Sequence, residues 1–348
     1  MALHQYLAEE VALDCAEGLL SRREALRRLG LLGLSASAGA ALLAACASDG
    51  GSADSVASTA SPAPTSPPTA ASTTAAAPTS ESPPIDATTT DAADSTDAPS
   101  TSAAAVEPTD APATTATTAT AGDDGEIRFP GPNGELLGEL ATAPSPKGAV
   151  LIIHENRGLT AHIRTIPGRL AADGYTALAI DLLSEEGGTA SLPSEGDATA
   201  ALGNAPAERM IADLRAGLDE LARRAPDSKL AVMGFCFGGG MTWQLLAAGE
   251  PRLSAAVPFY GPAPAGADFS GSPNAAVLGV YAELDNRVNA SKDVARTALE
   301  AAGLAYEIDV FPGVDHAFFN DTGPRYNAEQ AAAAYEATLA WFAAHLAA

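Results

Sequence analysis

The stretch KLAVMGFCFGGGMTWQLLAAG, residues 229–249, decides the fold of this chain. It opens on a run that is apolar at successive positions, as a strand buried on both faces of a parallel sheet must be. It then passes through Gly234 and the glycines at 238, 239 and 240 into a helix-length segment. A strand that turns at once into a helix through small residues holds the residue at the turn exposed, which is the context of a nucleophile elbow. Here that residue is Cys236. The turn also sets its sulfur beside the N-terminus of the next helix, where partial positive charge favours thiolate over thiol. The plainer alternative is an interior thiol with glycines that serve only the turn.

Working outward, the same texture repeats. Short alternating runs flank Pro132-Asn133-Gly134 and predict a hairpin. GAVLIIH (148–154), GYTALAIDLL (174–183), LSAAVPFYG (253–261), NAAVLGVYAELD (274–285) and YEIDVFPG (306–313) read as further strands. Helical periodicity lies between them, over 162–173, 208–224, about 239–248, 291–303 and about 327–346, with a Gly-rich loop to about 204. Alternating strands and helices predict a doubly wound α/β domain with a mostly parallel sheet and an N-terminal antiparallel hairpin. Ligands and catalysis then belong beyond the carboxyl ends of the strands.

Composition divides the rest of the chain. With 43 Asp and Glu against 19 Lys and Arg in 348 residues, the net charge of −24 excludes a nucleic-acid reader. Residues 47–124 hold 11 acidic residues, no Lys or Arg and no aromatic residue, so nothing offsets the entropy of ordering them. They are expected to form a disordered tether reaching on the order of 50 Å. In residues 1–46, Arg22 and Arg23 precede the weakly apolar run LLGLSASAGAALLAA, which ends at Cys46. This order resembles a twin-arginine export signal, and Leu43-Ala44-Ala45-Cys46 resembles the lipobox of bacterial lipoproteins, with Cys46 as the lipidated residue. The resemblance implies the twin-arginine export machinery and a membrane as partners, and a lipid anchor on the outer face of the cytoplasmic membrane or in the cell envelope. Loss of Cys15 on processing and lipid on Cys46 would leave Cys236 as the single free thiol. Residues 1–20, with Leu3, Leu7, Val11 and Leu13 near helical spacing, carry no assignment beyond an extension of the signal. The globular block is 125–348.

A nucleophilic Cys needs a base, and in this architecture the acid and then the His follow it on loops after later strands. His316, after the final strand in FPGVDHAFFND, is the expected base, and His345 is a helix-surface residue. Asp285, at the end of VLGVYAELD, is the expected orienting acid, with Glu283 and Asp315 as competitors. Two backbone N–H groups should hold an oxyanion, those of Phe237 and of Asn156 in the loop His154–Gly158. Glu155 in that loop is either a base for the thiol in the resting enzyme, or an N-cap or salt-bridge partner of Arg157 or Arg164.

HENRGLTAHIRTIPGRLAADGYTALAIDLL, GFCFGGG, YAELD and GVDHAFFND, in this order, resemble the dienelactone hydrolase family of α/β-hydrolases over essentially all of 125–348. The resemblance implies a triad of Cys236, Asp285 and His316, and a Glu155 that pairs with the Cys before substrate binds. It also implies hydrolysis of a cyclic enol ester through a thiol ester, with neither metal nor organic cofactor. The partner is then a small-molecule ester or lactone. The chain departs from the family after the His, where Ala317 and Asn320 replace the Ser and Arg that hold the substrate carboxylate. Arg157, Arg209 or Arg325 are the available substitutes, and Phe235, Phe237, Tyr260, Phe318 and Phe319 the candidate apolar pocket. Two other readings stand beside this one. One is a catalytically silent surface lipoprotein that binds through the hydrolase scaffold, and the other is a redox-responsive Cys236 lacking a resolving partner.

Overall fold

The computed structural model describes residues 3–49 and 124–347. Three helices open it: α1 (Leu3–Ala16), α2 (Arg22–Leu31) and α3 (Ala36–Asp49). After residue 124 come β1 (Gly125–Gly131), β2 (Gly134–Ala141), β3 (Ala149–Ile153), α4 (Ala161–Ala172) and β4 (Thr176–Asp181). Two helices follow in succession, α5 (Glu195–Asn204) and α6 (Ala207–Arg224), then β5 (Leu230–Phe235), α7 (Phe237–Ala247), β6 (Leu253–Phe259) and β7 (Ala276–Ala282). The chain closes with α8 (Asn286–Asn289), α9 (Lys292–Ala302), β8 (Tyr306–Phe311) and α10 (Ala328–Leu346).

The eight strands form one sheet in the order β1-β2-β4-β3-β5-β6-β7-β8. The β1–β2 hairpin, with Phe129 opposite Leu136, and the β2–β4 pair are antiparallel, and the other five pairings are parallel. Chemistry follows position in the sheet. At the edge, β1 buries Ile127 and Phe129 and exposes the alternate residues, whereas β3, β4, β5 and β7 are buried at every position, which explains their uninterrupted apolar runs. This is the α/β-hydrolase type of sheet that the sequence predicts. From β3 the chain crosses to β4 on one side, and from β5 to β6 on the other, so the neighbours β3 and β5 form the topological switch point. The residues that follow them, His154 to Arg157 and Cys236, therefore meet at one crevice.

Two stretches differ from the sequence reading. The loop expected up to residue 204 contains α5, capped by Ser194, whose hydroxyl accepts from the Asp197 N–H at 3.3 Å. Its Ala-rich sequence has too little periodic contrast to announce a helix. Residues 1–46 were set apart from the globular block, yet α1, α2 and α3 bury Tyr6, Leu7, Val11, Leu29 and Leu43 in the same core as the sheet. The stretch SRRE supplies a helix start that the arginine pair obscured. Ser21 caps α2 by accepting from the Glu24 N–H at 3.2 Å, leaving Arg22 and Arg23 exposed in its first turn. The side chain of Cys46 and residues 50–123 of the expected tether lie outside the described residues, whereas 47–49, expected to begin the tether, complete α3. Among the described residues no helix is long and apolar enough to cross a membrane.

The amphipathic α6 carries one polar misfit on its buried face. Asp213 sits among Met210, Leu214 and Gly217 with neither carboxylate oxygen hydrogen-bonded, 3.9 Å from the Arg209 guanidinium. Burial pushes its carboxyl up to about 6, against the pull of Arg209. The folded chain thus holds this proton more tightly than the unfolded chain, so stability falls as pH rises from about 4 through about 6. Asp213→Asn removes the ionisation. The variant should be more stable than the parent at pH 8, with the difference shrinking toward pH 4, as read from urea midpoints at both pH values.

Candidate active site

The elbow is built on a backbone that only its neighbours make tolerable. Cys236 adopts φ 56° and ψ −114°, the left-handed half of the map where an L-residue is strained. Its N–H donates to the Phe259 carbonyl at 3.0 Å, and the residue caps α7. The surrounding glycines are required by proximity. A Cβ on Gly234 would overlap the Gly238 carbonyl, one on Gly238 the Ile153 carbonyl, and one on Gly239 the Phe259 carbonyl. Close approach of α7 to β3, β5 and β6 therefore holds the thiol in place.

The expected base and its expected acid meet across the ends of β7 and β8. His316 Nδ1 lies 2.6 Å from Asp285 Oδ2, both side chains almost fully buried. Asp285 Oδ1 accepts from the Val288 N–H at 3.1 Å, which fixes the carboxylate as the cap of α8. Burial alone would raise the Asp285 carboxyl, but the charge and hydrogen bond of His316, with help from Arg287, hold it below its usual range. The competitors have other work. Glu283 accepts from the Gly313 N–H, and Asp315 accepts from the N–H of His316 in a tight turn.

His316 Nε2 has no hydrogen-bond partner. It lies 3.6 Å from Glu10 Oε1, and ligating atoms of Glu10, Cys236 and His316 fall within 4.8 Å of one another. These three are the one metal-ligating cluster among the described residues, but a divalent ion there would compete with the Arg287 guanidinium already paired to Glu10. Burial would lower the His316 imidazole, and the charges of Glu10, Cys236 and Asp285 outweigh it, so its pKa is held well above the ordinary value.

Of the two donors expected for an oxyanion, Asn156 lines the crevice and Phe237 follows Cys236 at the start of α7. Phe237 is the first residue of α7, so its N–H has no acceptor within the helix. Asn156 and Arg157, from the loop after β3, line one cavity with Cys236 and His316. Glu155 lines it too. Its Oε2 accepts from Asn320 Nδ2 at 2.7 Å, its Oε1 has no partner, and burial raises its carboxyl. The thiol itself is partnered by the Tyr6 hydroxyl at 3.2 Å rather than by Glu155. His154 is structural: Nδ1 donates to the Glu155 carbonyl and Nε2 accepts from the Leu182 N–H, a neutral tautomer that burial favours.

Several sequence candidates are corrected. Phe235, Tyr260, Phe318 and Phe319 do not line the cavity. They stack in a buried aromatic cluster beneath it, with the Tyr260 ring edge-on to His316 at 5.2 Å, because strand and turn geometry points them inward. Arg209 is engaged by Glu186 and the Leu182 carbonyl, away from the site, whereas Arg325 lines the cavity. The groups that sequence reasoning missed are Tyr6, Glu10, Asp14 and Arg287. Arg287 lay in view two residues after Asp285. The others were hidden because nothing local says that a distant helix folds back onto the elbow.

Comparison with known proteins agrees with this geometry. The model of the dienelactone hydrolase family matches residues 136–346. The chain is similar to a candidate carboxymethylenebutenolidase of Escherichia coli, 36% identical over 211 residues that cover 57% of this chain and 77% of that protein. A candidate of the same name from Yersinia pestis is 33% identical over 242 residues, 64% of this chain and 88% of that protein. Among solved structures, a candidate dienelactone hydrolase of Klebsiella pneumoniae superposes with a TM-score of 0.56 at 32% identity, covering 63% of this chain and 97% of that one.

The elbow's tolerance can be tested directly. Gly234→Ala forces a Cβ into the Gly238 carbonyl, which neither backbone can avoid. It should destabilise the chain by about 3 kcal/mol, the upper end of ordinary overpacking, read as a drop in the urea midpoint. Gly266→Ala, with nothing within 4 Å of the added carbon but φ 70°, should cost only about 1 kcal/mol of backbone strain.

Proposed function

The chain belongs to the dienelactone hydrolase family and is a hydrolase of ester or lactone bonds; on that footing we propose that Cys236, His316 and Asp285 carry the reaction through a thiol ester. One observation carries the reading: the 2.6 Å contact of His316 Nδ1 with Asp285 Oδ2 leaves Nε2 without a partner, with the imidazole and the sulfur of a strained elbow within 4.8 Å of each other.

In the proposed cycle His316 Nε2 takes the thiol proton and the Cys236 sulfur attacks the acyl carbon. The carbonyl π electrons move to oxygen, which accepts from the N–H groups of Phe237 and Asn156. Collapse breaks the bond to the leaving oxygen, which takes the proton from Nε2 and leaves an acyl group on sulfur. Water, deprotonated by the same nitrogen, attacks the thiol ester and returns the thiol with the carboxylic acid. For a lactone, acid and alcohol or enol stay on one product. Asp285 orients the imidazole and stabilises its cationic form. Glu155, with a free Oε1 on the same cavity, is the second candidate to take the thiol proton before substrate arrives. The proposed scheme requires no metal or organic cofactor, and Arg157 and Arg325 are the cations available to an anionic substrate.

We further propose that the chain is made as an exported lipoprotein, with residues 1–46 as a twin-arginine signal, 47–124 as a tether, the catalytic block on 125–348, and lipid on Cys46. The order of basic pair, apolar run, small residues and Cys supports it.

On a panel of activated esters and lactones, Cys236→Ala should abolish turnover, and His316→Ala should lower kcat by about 10²- to 10⁴-fold with the circular dichroism of the parent. Full activity in His316→Ala would move the base elsewhere. Cys46→Ala should shift the protein from the membrane fraction to the soluble fraction, and a variant still membrane-bound would mean an uncleaved anchor.

A further inference from the structure

Sequence alone gives the N-terminal helix no role in catalysis, yet two of its side chains stand against Cys236 and His316. Tyr6, Glu10 and Asp14 recur every four residues and so form one stripe of α1. Each meets a group in the crevice. The Tyr6 hydroxyl lies 3.2 Å from Cys236 Sγ, and the Arg287 guanidinium stacks over its ring at 4.3 Å. Glu10 pairs with Arg287 and stands 3.6 Å from His316 Nε2, the nitrogen that must exchange protons with the thiol and the leaving group. Asp14 pairs with Arg325 at 2.9 Å, joined by Glu17 at 2.6 Å. Leu7 and Val11 form the adjacent stripe and are buried in the core.

We propose that α1 is an internal substrate mimic that occupies the acyl position over Cys236 and holds the unprocessed chain inactive until the helix is withdrawn. The proposal rests on the reading of Cys236 as the nucleophile.

Space supports it first. The cavity left beside Cys236 is about 40 Å³, room for one or two waters, whereas an ester-sized ligand needs a pocket of roughly 300 Å³ or more. The thiol is buried, at 3% exposure. No acyl carbon reaches the sulfur while Tyr6 stands on it. Electrostatics supports it next. The Glu10 carboxylate, foremost among the charges that overcome the burial of His316, stands 3.6 Å from the nitrogen that must serve the thiol and the leaving group. Charge complementarity supports it third, since α1 sets carboxylates on Arg287 and Arg325, where acid groups of an entering substrate would stand. Under the export reading, hydrolysis of the peptide bond between Ala45 and Cys46 would remove α1 and α2 together, so that activity begins only after delivery.

The test uses the full chain and two readouts, alkylation of Cys236 by iodoacetamide followed by peptide mass spectrometry, and turnover of an activated ester. Leu7→Asp places a charge in the buried stripe. It should raise both rates by about tenfold or more, as expected when the open state gains about 1.4 kcal/mol or more over the docked one. Asp14→Asn combined with Glu17→Gln releases Arg325 while keeping the apolar packing, and should raise both several-fold even if Leu7→Asp does not fold. Unchanged alkylation in a folded variant would overturn the proposal. So would faster alkylation with turnover below that of the parent, since α1 would then build the site rather than block it. Faster alkylation with no turnover by parent or variant would support occlusion by α1 and overturn the hydrolytic reading of Cys236.

Discussion

The structure depends on one constraint, the backbone of Cys236 held at positive φ between β5 and α7. That conformation persists only because three glycines let carbonyls of β3, β6 and α7 come within reach of what would otherwise be Cβ atoms. The same close packing brings the loop after β3 to the elbow and fixes where Phe237 and Asn156 present their amides. From the other side, β7 and β8 end in the loops that carry Asp285 and His316. The site is thus a property of the switch point between β3 and β5, and each functional group is placed by the end of a different strand.

Much of this was legible in the sequence because buried parallel strands and tight turns write strongly. Every predicted strand is present, Asp285 rather than Glu283 or Asp315 contacts His316, and Cys236 sits at the strand-to-helix turn. What could not be read needed long-range information. The aromatic residues near the site point into the core because of how β5, β6 and the turn after His316 orient them, and no local pattern distinguishes the two outcomes. The segment 1–46 has the order of an export signal, and that order masked a capped helix at Ser21 and a stripe of Tyr6, Glu10 and Asp14 whose partners lie more than 200 residues away.

The electrostatics of the crevice bear on how α1 sits there. Burying the pair Glu10–Arg287 and the His316–Asp285 contact costs desolvation that the mutual attraction repays only in part. A buried ion pair of this kind is weak evidence of stability. The apolar contacts of Leu7 and Val11 supply attraction for docking, while the charged stripe decides the register in which α1 meets the thiol and the imidazole. A single helix therefore both packs on the core and sets side chains against Cys236 and His316.

The central claim is that acyl transfer runs through the sulfur of Cys236. Its most direct test is rapid quenching of the reaction with a slowly deacylated activated ester, followed by peptide mass spectrometry across residues 229–249. The account predicts a transient mass increase equal to the acyl group on the peptide containing Cys236, forming with the burst of leaving group and decaying with turnover. Turnover without that adduct, or an adduct on a different residue, would contradict it.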